Sequence, residues 1–497
     1  MNHFFSHSNN FNLLSILLMF SLVMSSCGGD DDDDNNDMAG ADDDDDMEVT
    51  NRLPQAVIDQ VSFTASYMLD TDQDGDDDII LGPANGPSSD MLLINDGSGF
   101  FEIKVNAFPT RYQGTEGQTV NITSADFNND GRQDIIATTI DGREGSFSES
   151  AQIHLYLNNG DNTFTDGTNQ ITDNLIAIGW VEWIRTGDFN NDGNLDFVTT
   201  SAGGFGMDTF NGIFQGGYIY LNDGNANFSR AIIKMNDHGE LGEYTHEVLA
   251  WDEVDDAEAR IGRYPLDIFA GDVDNDGDTD LVAPNGYAGA AWATFINVST
   301  GTEASFEVII NTDIIDTNGE TDSDLFDKFR FKNGALMDIN GDGFLDVIGS
   351  ESIAGQNDPP VPVLTFLNNG SGQFSLQTDL ISGTAPGLVH ARQWLVADFN
   401  NDGQDDLFIA DHGLDIFNFP GFPNTLLLGT GSSLVNNSVN IGTVSAFTHG
   451  AAIGDIDNNG SLDIFMNNHQ GLEDIGGATA DSFIYLNNGS GIFTGEN

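Results

Sequence analysis

Apolar residues along this chain fall in short runs, and the runs recur. Ile79-Ile80, Ile135-Ile136-Ala137, Phe197-Val198-Thr199, Leu281-Val282, Val347-Ile348, Leu407-Phe408-Ile409 and Ile464-Phe465-Met466 each follow an aspartate. They are short and rich in β-branched and aromatic residues, so they read as buried strands and not as helix. Similar runs precede the same region of each repeat, as in Leu395-Val396-Ala397 and Ile453-Gly454. A second phrase comes about 25 to 35 residues after most of the regions so framed: a hydrophobic run, then Asn-Asn/Asp-Gly, then Phe. It occupies Ile94–Phe100, Leu157–Phe164, Leu221–Phe228, Leu367–Phe374 and Leu486–Phe493, and is degraded near Ile296 and Leu428. Asn-Gly or Asp-Gly between hydrophobic strands predicts the tight turn of a β-hairpin. Each repeat therefore holds four strands.

The polar segment joining the first two strands of each repeat carries the chemistry. The pattern Asp-x-Asp/Asn-x-Asp/Asn-Gly-x-x-Asp occurs seven times, at intervals of 56, 62, 84, 66, 60 and 57 residues. Its places one, three, five and nine are Asp70, Asp72, Asp74 and Asp78; Asp126, Asn128, Asp130 and Asp134; Asp188, Asn190, Asp192 and Asp196; and Asp272, Asp274, Asp276 and Asp280. The last three copies hold Asp338, Asn340, Asp342 and Asp346; Asp398, Asn400, Asp402 and Asp406; and Asp455, Asp457, Asn459 and Asp463. Place six is always glycine, which lets the backbone reverse with positive φ, so that places one, three and five converge on one point. Of these 28 side chains 23 are carboxylates and five are Asn, a hard oxygen cage. Calcium suits it: Mg²⁺ prefers a small octahedron that keeps several waters, and zinc would need His or Cys in the pattern. The loop differs from an EF-hand, which closes with Glu at place twelve before a helix. Up to seven structural calcium ions are expected, with no extra His or Cys to leave an open catalytic position.

These loops and hairpins resemble the FG-GAP or VCBS-type repeats of integrin-α-like β-propellers, over about residues 53–497. The resemblance implies an all-β, seven-bladed propeller of four-stranded blades with a calcium loop in each, and the spacing agrees. A nonapeptide β-roll is excluded, since its loops recur every nine residues. The last hairpin completes blade seven from its own segment, and residues 53–60 are candidates for closing the ring.

Loops and hairpins share one end of the blades, so the opposite rim is built from the remaining, variable connections. The longest, about 229–265, contains Tyr244, His246 and Trp251 and accounts for the 84-residue interval. Trp180, Trp183, Tyr264, His390, Arg392, Trp394 and His449 lie on the rim side of the first strands, and Asp411, His412 and His469 in nearby connections. Aromatic faces beside polar side chains suit sugar binding. Packing between neighbouring blades would use the same Trp and Tyr residues. His390, His412 and His449 could alternatively gather near the axis as a transition-metal site.

Composition and the N-terminus add location. Leu13–Met24 is apolar but about a dozen residues long, right for a secretory leader and too short to span a bilayer. It runs into Met24-Ser25-Ser26-Cys27, which resembles a bacterial lipobox and uses the chain's single cysteine, although the segment before it has His3 and His7 and no Lys or Arg. Gly28-Gly29 and the blocks Asp30–Asp34 and Asp42–Asp46 follow, so 28–52 is expected to be an acidic tether. Cys-Gly-Gly before an aspartate run resembles the surface-export signal of lipoproteins in one group of Gram-negative bacteria. The resemblance implies an outer-membrane protein facing the exterior and attached through lipid at Cys27. With 14 Lys plus Arg against 80 Asp plus Glu the formal charge is −66, which argues against binding nucleic acid or anionic lipid headgroups. A hydrophobic content of 39% with 35 Phe still suffices for a core. The expected function is a non-enzymatic binding or adhesion module for a glycan or a surface protein. The alternative is a calcium-dependent polysaccharide lyase or glycoside hydrolase, for which no nucleophile elbow or HExxH is present. Binding a highly anionic polymer to so acidic a body is expected to need bridging calcium.

Overall fold

The computed structural model describes residues 51–58, 63–83, 90–110, 117–141, 152–172, 180–202, 218–231, 233–237, 244–246, 268–287, 291–311, 331–351, 359–414, 420–442, 445–469 and 483–496. The leader, Cys27, residues 28–50 of the tether and Tyr264 lie outside them. The chain divides into two units, of which residues 1–50 with 143–146 also lie outside the described residues. All that follows concerns the other unit, residues 51–142 and 147–497.

Seven antiparallel sheets follow one another along the chain as the blades of a propeller. The first strands are Phe63–Leu69, Gly117–Ala125, Trp180–Gly187, Phe269–Gly271, Phe331–Met337, Ala391–Ala397 and Ser445–Gly454. Every second strand opens on a place-nine aspartate: Asp78–Pro83, Asp134–Asp141, Asp196–Ala202, Asp280–Tyr287, Asp346–Glu351, Asp406–Asp411 and Asp463–His469. Third strands end at the hairpin Asn, as in Met91–Asn95 and Gln152–Asn158, and fourth strands mostly begin at the Phe, as in Phe101–Lys104 and Phe164–Asp166.

The second strands are apolar without alternation because both of their faces are covered. In blade one, Ile79 and Leu81 join a cluster with Ala452, Phe465 and Ile484 of blade seven. Ile80 between them joins Ile122, Ile135 and Tyr156 of blade two. Five further clusters repeat this arrangement around the ring, so the core is seven separate seams between blades. The first strands of successive blades lie beside one another, and that of blade seven lies beside that of blade one, which closes the inner ring.

The four main strands of each blade come from one stretch of chain, and short pairs cross to the next blade: Ile381–Ser382 joins blade six and Phe422–Pro423 of blade six joins blade seven. Leu53 and Val57 are buried in the seam between blades seven and one, as the reading of 53–60 anticipated. Arg52, assigned to the tether by sequence, already belongs to the fold: its carbonyl accepts the N–H of Phe101, and Nη1 donates to the Ser98 carbonyl at 2.7 Å. The linker before blade two does the same when Phe164 N–H donates to the Ala107 carbonyl.

Two expectations need correction. The Asn-Gly phrases do not form two-residue turns: Asn95 pairs with Phe101, and Asn158 with Phe164, leaving five-residue loops. Two left-handed residues make each reversal, Gly97 and Gly99 in blade one and Gly160 and Asn162 in blade two. The buried residue of blade one is accordingly Phe101, whereas Phe100 lies under the Arg52 guanidinium. In addition, the 229–265 segment is not only a rim connection. Ile233–Asp237 pairs in parallel with Ser305–Asn311, and Tyr244–His246 pairs with it in turn, extending blade four outward by two strands.

Candidate functional site

All seven acidic loops share one wiring. Place one accepts two backbone N–H groups: in the first loop Asp74 N–H donates to Asp70 Oδ1 at 3.1 Å and Gly75 N–H to Oδ2 at 3.0 Å. Place three accepts the place-five N–H, as from Asp74 to Asp72 at 3.3 Å, and place five accepts the place-seven N–H, as from Asp76 to Asp74 at 3.0 Å. The three side chains are thereby drawn over a common centre. One oxygen from each of Asp70, Asp72 and Asp74 lies within 4.8 Å of the others, and the same holds for Asp272, Asp274 and Asp276, and for Asp455, Asp457 and Asp463. In four other loops place three is the amide of Asn128, Asn190, Asn340 or Asn400, an uncharged oxygen donor. Asp274 is held above the usual carboxylate range by burial first and then by the charges of Asp276 and Asp272. Convergent oxygens that raise one another's proton affinity are the donor set a hard divalent cation requires, so calcium fits these residues.

The place-nine aspartates have a second task. Each is buried. In all seven blades Oδ1 accepts the N–H of the residue opening the hairpin loop: Asn95, Asn158, Asn222, Asn297, Asn368, Gly429 and Asn487. In six, Oδ2 accepts the place-two N–H. The carboxylate thus pins the metal loop to the hairpin at the same end of the blade. Burial pushes these groups up, to about 8 for Asp196, about 7 for Asp280, Asp346 and Asp463, and about 6 for Asp78, Asp134 and Asp406. The accepted hydrogen bonds oppose the rise and the loop's other carboxylates add to it.

The folded metal-free protein therefore binds these protons more tightly than the unfolded chain. The contribution to stability is fully present below the ordinary carboxylate pKa and is lost as pH rises through about 6 to 8. Chelated protein is expected to melt at a higher temperature at pH 5 than at pH 8.5, a trend that differential scanning calorimetry reads directly.

Sequence reasoning missed the fourth place of the loop, which is left-handed in all seven: φ is 65° at Gln73, 58° at Asn129, Asn191 and Asn401, 60° at Asn275, 74° at Gly341 and 55° at Asn458. The signal was present, since Asn tolerates this region better than most residues and fills the place in five loops. From there the side chain reaches the next blade. Gln73 donates to the Gly131 carbonyl at 2.6 Å, Asn129 to Gly224 at 3.1 Å and Asn275 to Gly343 at 2.8 Å. Gly341 is the copy where no side chain fits, because a Cβ would lie 2.3 Å from the Gly431 carbonyl oxygen. Gly341→Ala is expected to destabilise more than Gly131→Ala, whose Cβ would meet nothing and which costs about 1–2 kcal/mol for its left-handed φ. Paired denaturant titrations check the order.

At the other rim the aromatic residues are largely packing residues. Trp183 is buried, with the Arg185 guanidinium 5.0 Å from its ring centroid, and Trp394 packs half-buried in the seam of blades five and six. Trp180 sits at the start of the first strand of blade three. His390 and His412 are buried and His449 is half-buried. The structure does bring these three imidazoles together: His412 lies 4.0 Å from His390 and 5.0 Å from His449, ring centre to ring centre, and Phe447 closes the group at 4.5 Å from His412. Beside them the buried Asp411 accepts N–H bonds from Val389, His390 and Gly413, and burial raises its carboxyl. Arg392 is half-buried at the rim.

Seven sheets around an axis, each built on four antiparallel strands with an acidic loop at one end, define a repeat-built β-propeller. The FG-GAP-like repeat model matches residues 70–137, 140–199, 338–409 and 398–466, just over half of the chain, and the chain belongs to that family. The fourth loop, Asp272 to Asp280, lies outside the matched ranges although its wiring is the same. Among solved structures, the chain is similar to the BP39L lectin from Burkholderia pseudomallei, with 10% identity, a TM-score of 0.47, and 88% of this chain and 99% of that one covered. No curated protein matches.

Proposed function

We propose that this protein is a calcium-stabilised, non-enzymatic binding module, tethered to the outer membrane through lipid at Cys27 and presenting the rim opposite its acidic loops to a glycan or a surface protein. The observation that supports it most is the division of labour between the two ends of the blades. At one end seven loops repeat the same hydrogen bonds. The segments joining strands at the other end differ in length and composition, as a surface selected for a particular partner would. Calcium would be held by places one, three and five of each loop, with the place-nine carboxylate closing the set. It would supply the positive charge that lets several carboxylates share one centre.

The test incubates calcium-loaded protein with a panel of neutral and uronic-acid polysaccharides. Retention of a polysaccharide without cleavage is the expected result. New reducing ends or unsaturated products would overturn the non-enzymatic reading, and co-purification with a neighbouring membrane protein without sugar retention would replace glycan by protein as the ligand.

A further inference from the structure

The place-four side chains do more than bridge two blades, because each ends on the acidic loop of the next one. Gln73 of loop one reaches the Gly131 carbonyl, place six of loop two, at 2.6 Å, and Asn275 of loop four reaches the Gly343 carbonyl, place six of loop five, at 2.8 Å. The other four end on the side chain at place seven. Asn129 donates to Asn194 Oδ1 at 3.1 Å, Asn191 to Asp278, Asn401 to Ser461 Oγ at 3.3 Å, and Asn458 of loop seven to Asp76 of loop one. Loop five has Gly341 at this place and sends no side chain; across its seam Asp405, at place eight of loop six, accepts the Asp338 N–H. Hydrogen bonds therefore run from loop to loop around the whole ring.

Each bond meets the part of the next loop that holds a candidate ligand. The Gly131 carbonyl and the Arg132 N–H belong to one peptide group, and that N–H donates to Asp130, place five, at 3.0 Å. The Gly343 carbonyl stands in the same relation to the Phe344 N–H, which donates to Asp342 at 3.0 Å. A peptide whose carbonyl accepts a hydrogen bond is polarised and becomes a stronger donor at its N–H. Where the bond ends at place seven, the N–H of that same residue holds place five: Asn194 to Asp192 at 2.9 Å, Asp278 to Asp276 at 3.0 Å, Ser461 to Asn459 at 2.9 Å and Asp76 to Asp74 at 3.0 Å. Asn194 donates to Asp192 through its side-chain amide as well, at 2.8 Å. At the sending end, place four lies between places three and five, with φ between 55° and 65° in the six loops that send a side chain. A cation that draws places three and five together holds this left-handed backbone, and with it the aim of the side chain.

From this circuit we infer that the loops take up calcium as a linked set: a cation in one loop fixes its place-four side chain, which steadies the place-five ligand of the next loop. The second cation then meets a loop that is already partly ordered and binds more tightly. Linkage makes the effect reciprocal, so each loop also gains from the one that follows it. The propeller accordingly stiffens over a narrower range of calcium concentration than independent sites would give. The inference rests on the calcium reading above and adds the dependence of one site on its neighbours.

The experiment lowers free calcium stepwise with a chelator around the full chain and follows the place-six glycine amides in TROSY spectra. Each of these N–H groups donates to place one of its own loop, so Gly75, Gly131, Gly277 and Gly343 report loops one, two, four and five separately. Asn275→Gly cuts the link from loop four to loop five and keeps a residue suited to the left-handed backbone, as Gly341 already is in loop five. It is expected to raise the calcium midpoints of Gly277 and Gly343 by about threefold to tenfold, the worth of one hydrogen bond, and to move that of Gly131 far less. Gln73→Gly should instead shift Gly75 and Gly131 and spare Gly343. Unshifted midpoints in both variants would overturn the coupling while leaving the calcium scaffold standing. Equal shifts of all four amides would overturn it too, since they would report a general loss of stability and not a link between neighbours. Wild-type amides that do not respond to calcium up to millimolar supply would remove the calcium reading and the coupling with it.

Discussion

Chelating divalent cations is expected to lower the melting temperature by on the order of 10 °C or more. Two carboxylates about 4–5 Å apart repel by roughly 3–4 kcal/mol at an effective dielectric near 20. Each loop holds at least two carboxylates among places one, three and five, and the loops of Asp70 and Asp272 hold three. A cation at ten times its dissociation constant adds about 1.4 kcal/mol per site, hence about 10 kcal/mol if all loops are filled. For a chain of this size about 1–2 °C accompanies each kcal/mol. Asp272→Ala should remove one such share and also strip two acceptors, for Asp276 and Gly277 N–H, from its loop. Melting curves with and without chelator measure both effects. An unchanged melting temperature would mean that the backbone bonds alone hold the loops.

The second large effect is expected at the closure of the ring. Asn95 Nδ2 donates to the Ile456 carbonyl of blade seven at 2.9 Å and to the Asp77 carbonyl of its own blade at 3.2 Å, and Oδ1 accepts from Gly97 and Gly99. Asn158, Asn222, Asn368 and Asn487 make the same pair of contacts, each to its own blade and to the one before. Between blades five and six Gly429 replaces the Asn. There Leu434 N–H bonds to the Leu380 carbonyl and Ile381–Ser382 pairs in parallel with Leu434–Asn436 instead. Asn95→Ala is expected to cost about 2–4 kcal/mol, because several buried backbone groups lose their partner at once. The chain itself also crosses the other seams, whereas the seam between blades seven and one is held by non-covalent contacts: its apolar cluster with residues 51–58, the Asn95 bonds, and those of Asn458 to Asp76 and the Gly97 carbonyl. Limited proteolysis of Asn95→Ala should therefore release terminal blades sooner than that of Asn222→Ala. Equal protection of the two would show that the clamp does not govern closure.

Much of this was legible because it is local. The Asp-Gly loops, the strands they join and the hairpins recur with spacings that need no tertiary information, and the family's fold follows from them. What was not legible crosses between segments. The hairpin Asn looks like a turn former, yet its amide spans two blades, and nothing within a repeat reveals the second carbonyl. The left-handed fourth place was visible as a recurrent Asn but has a purpose only when the next blade is present. The rim tryptophans were ambiguous for the opposite reason: an exposed stacking platform and a seam filler use the same side chain, and Trp183 and Trp394 are packed into the fold.

The most direct test of the cation-clamped ring is the calcium content of the purified chain after desalting, measured by atomic emission. One ion per loop, seven in all, is expected, falling by one in Asp272→Ala and again in the double variant with Asp126→Ala. Wild-type protein that stays folded while carrying no calcium at millimolar supply would contradict it.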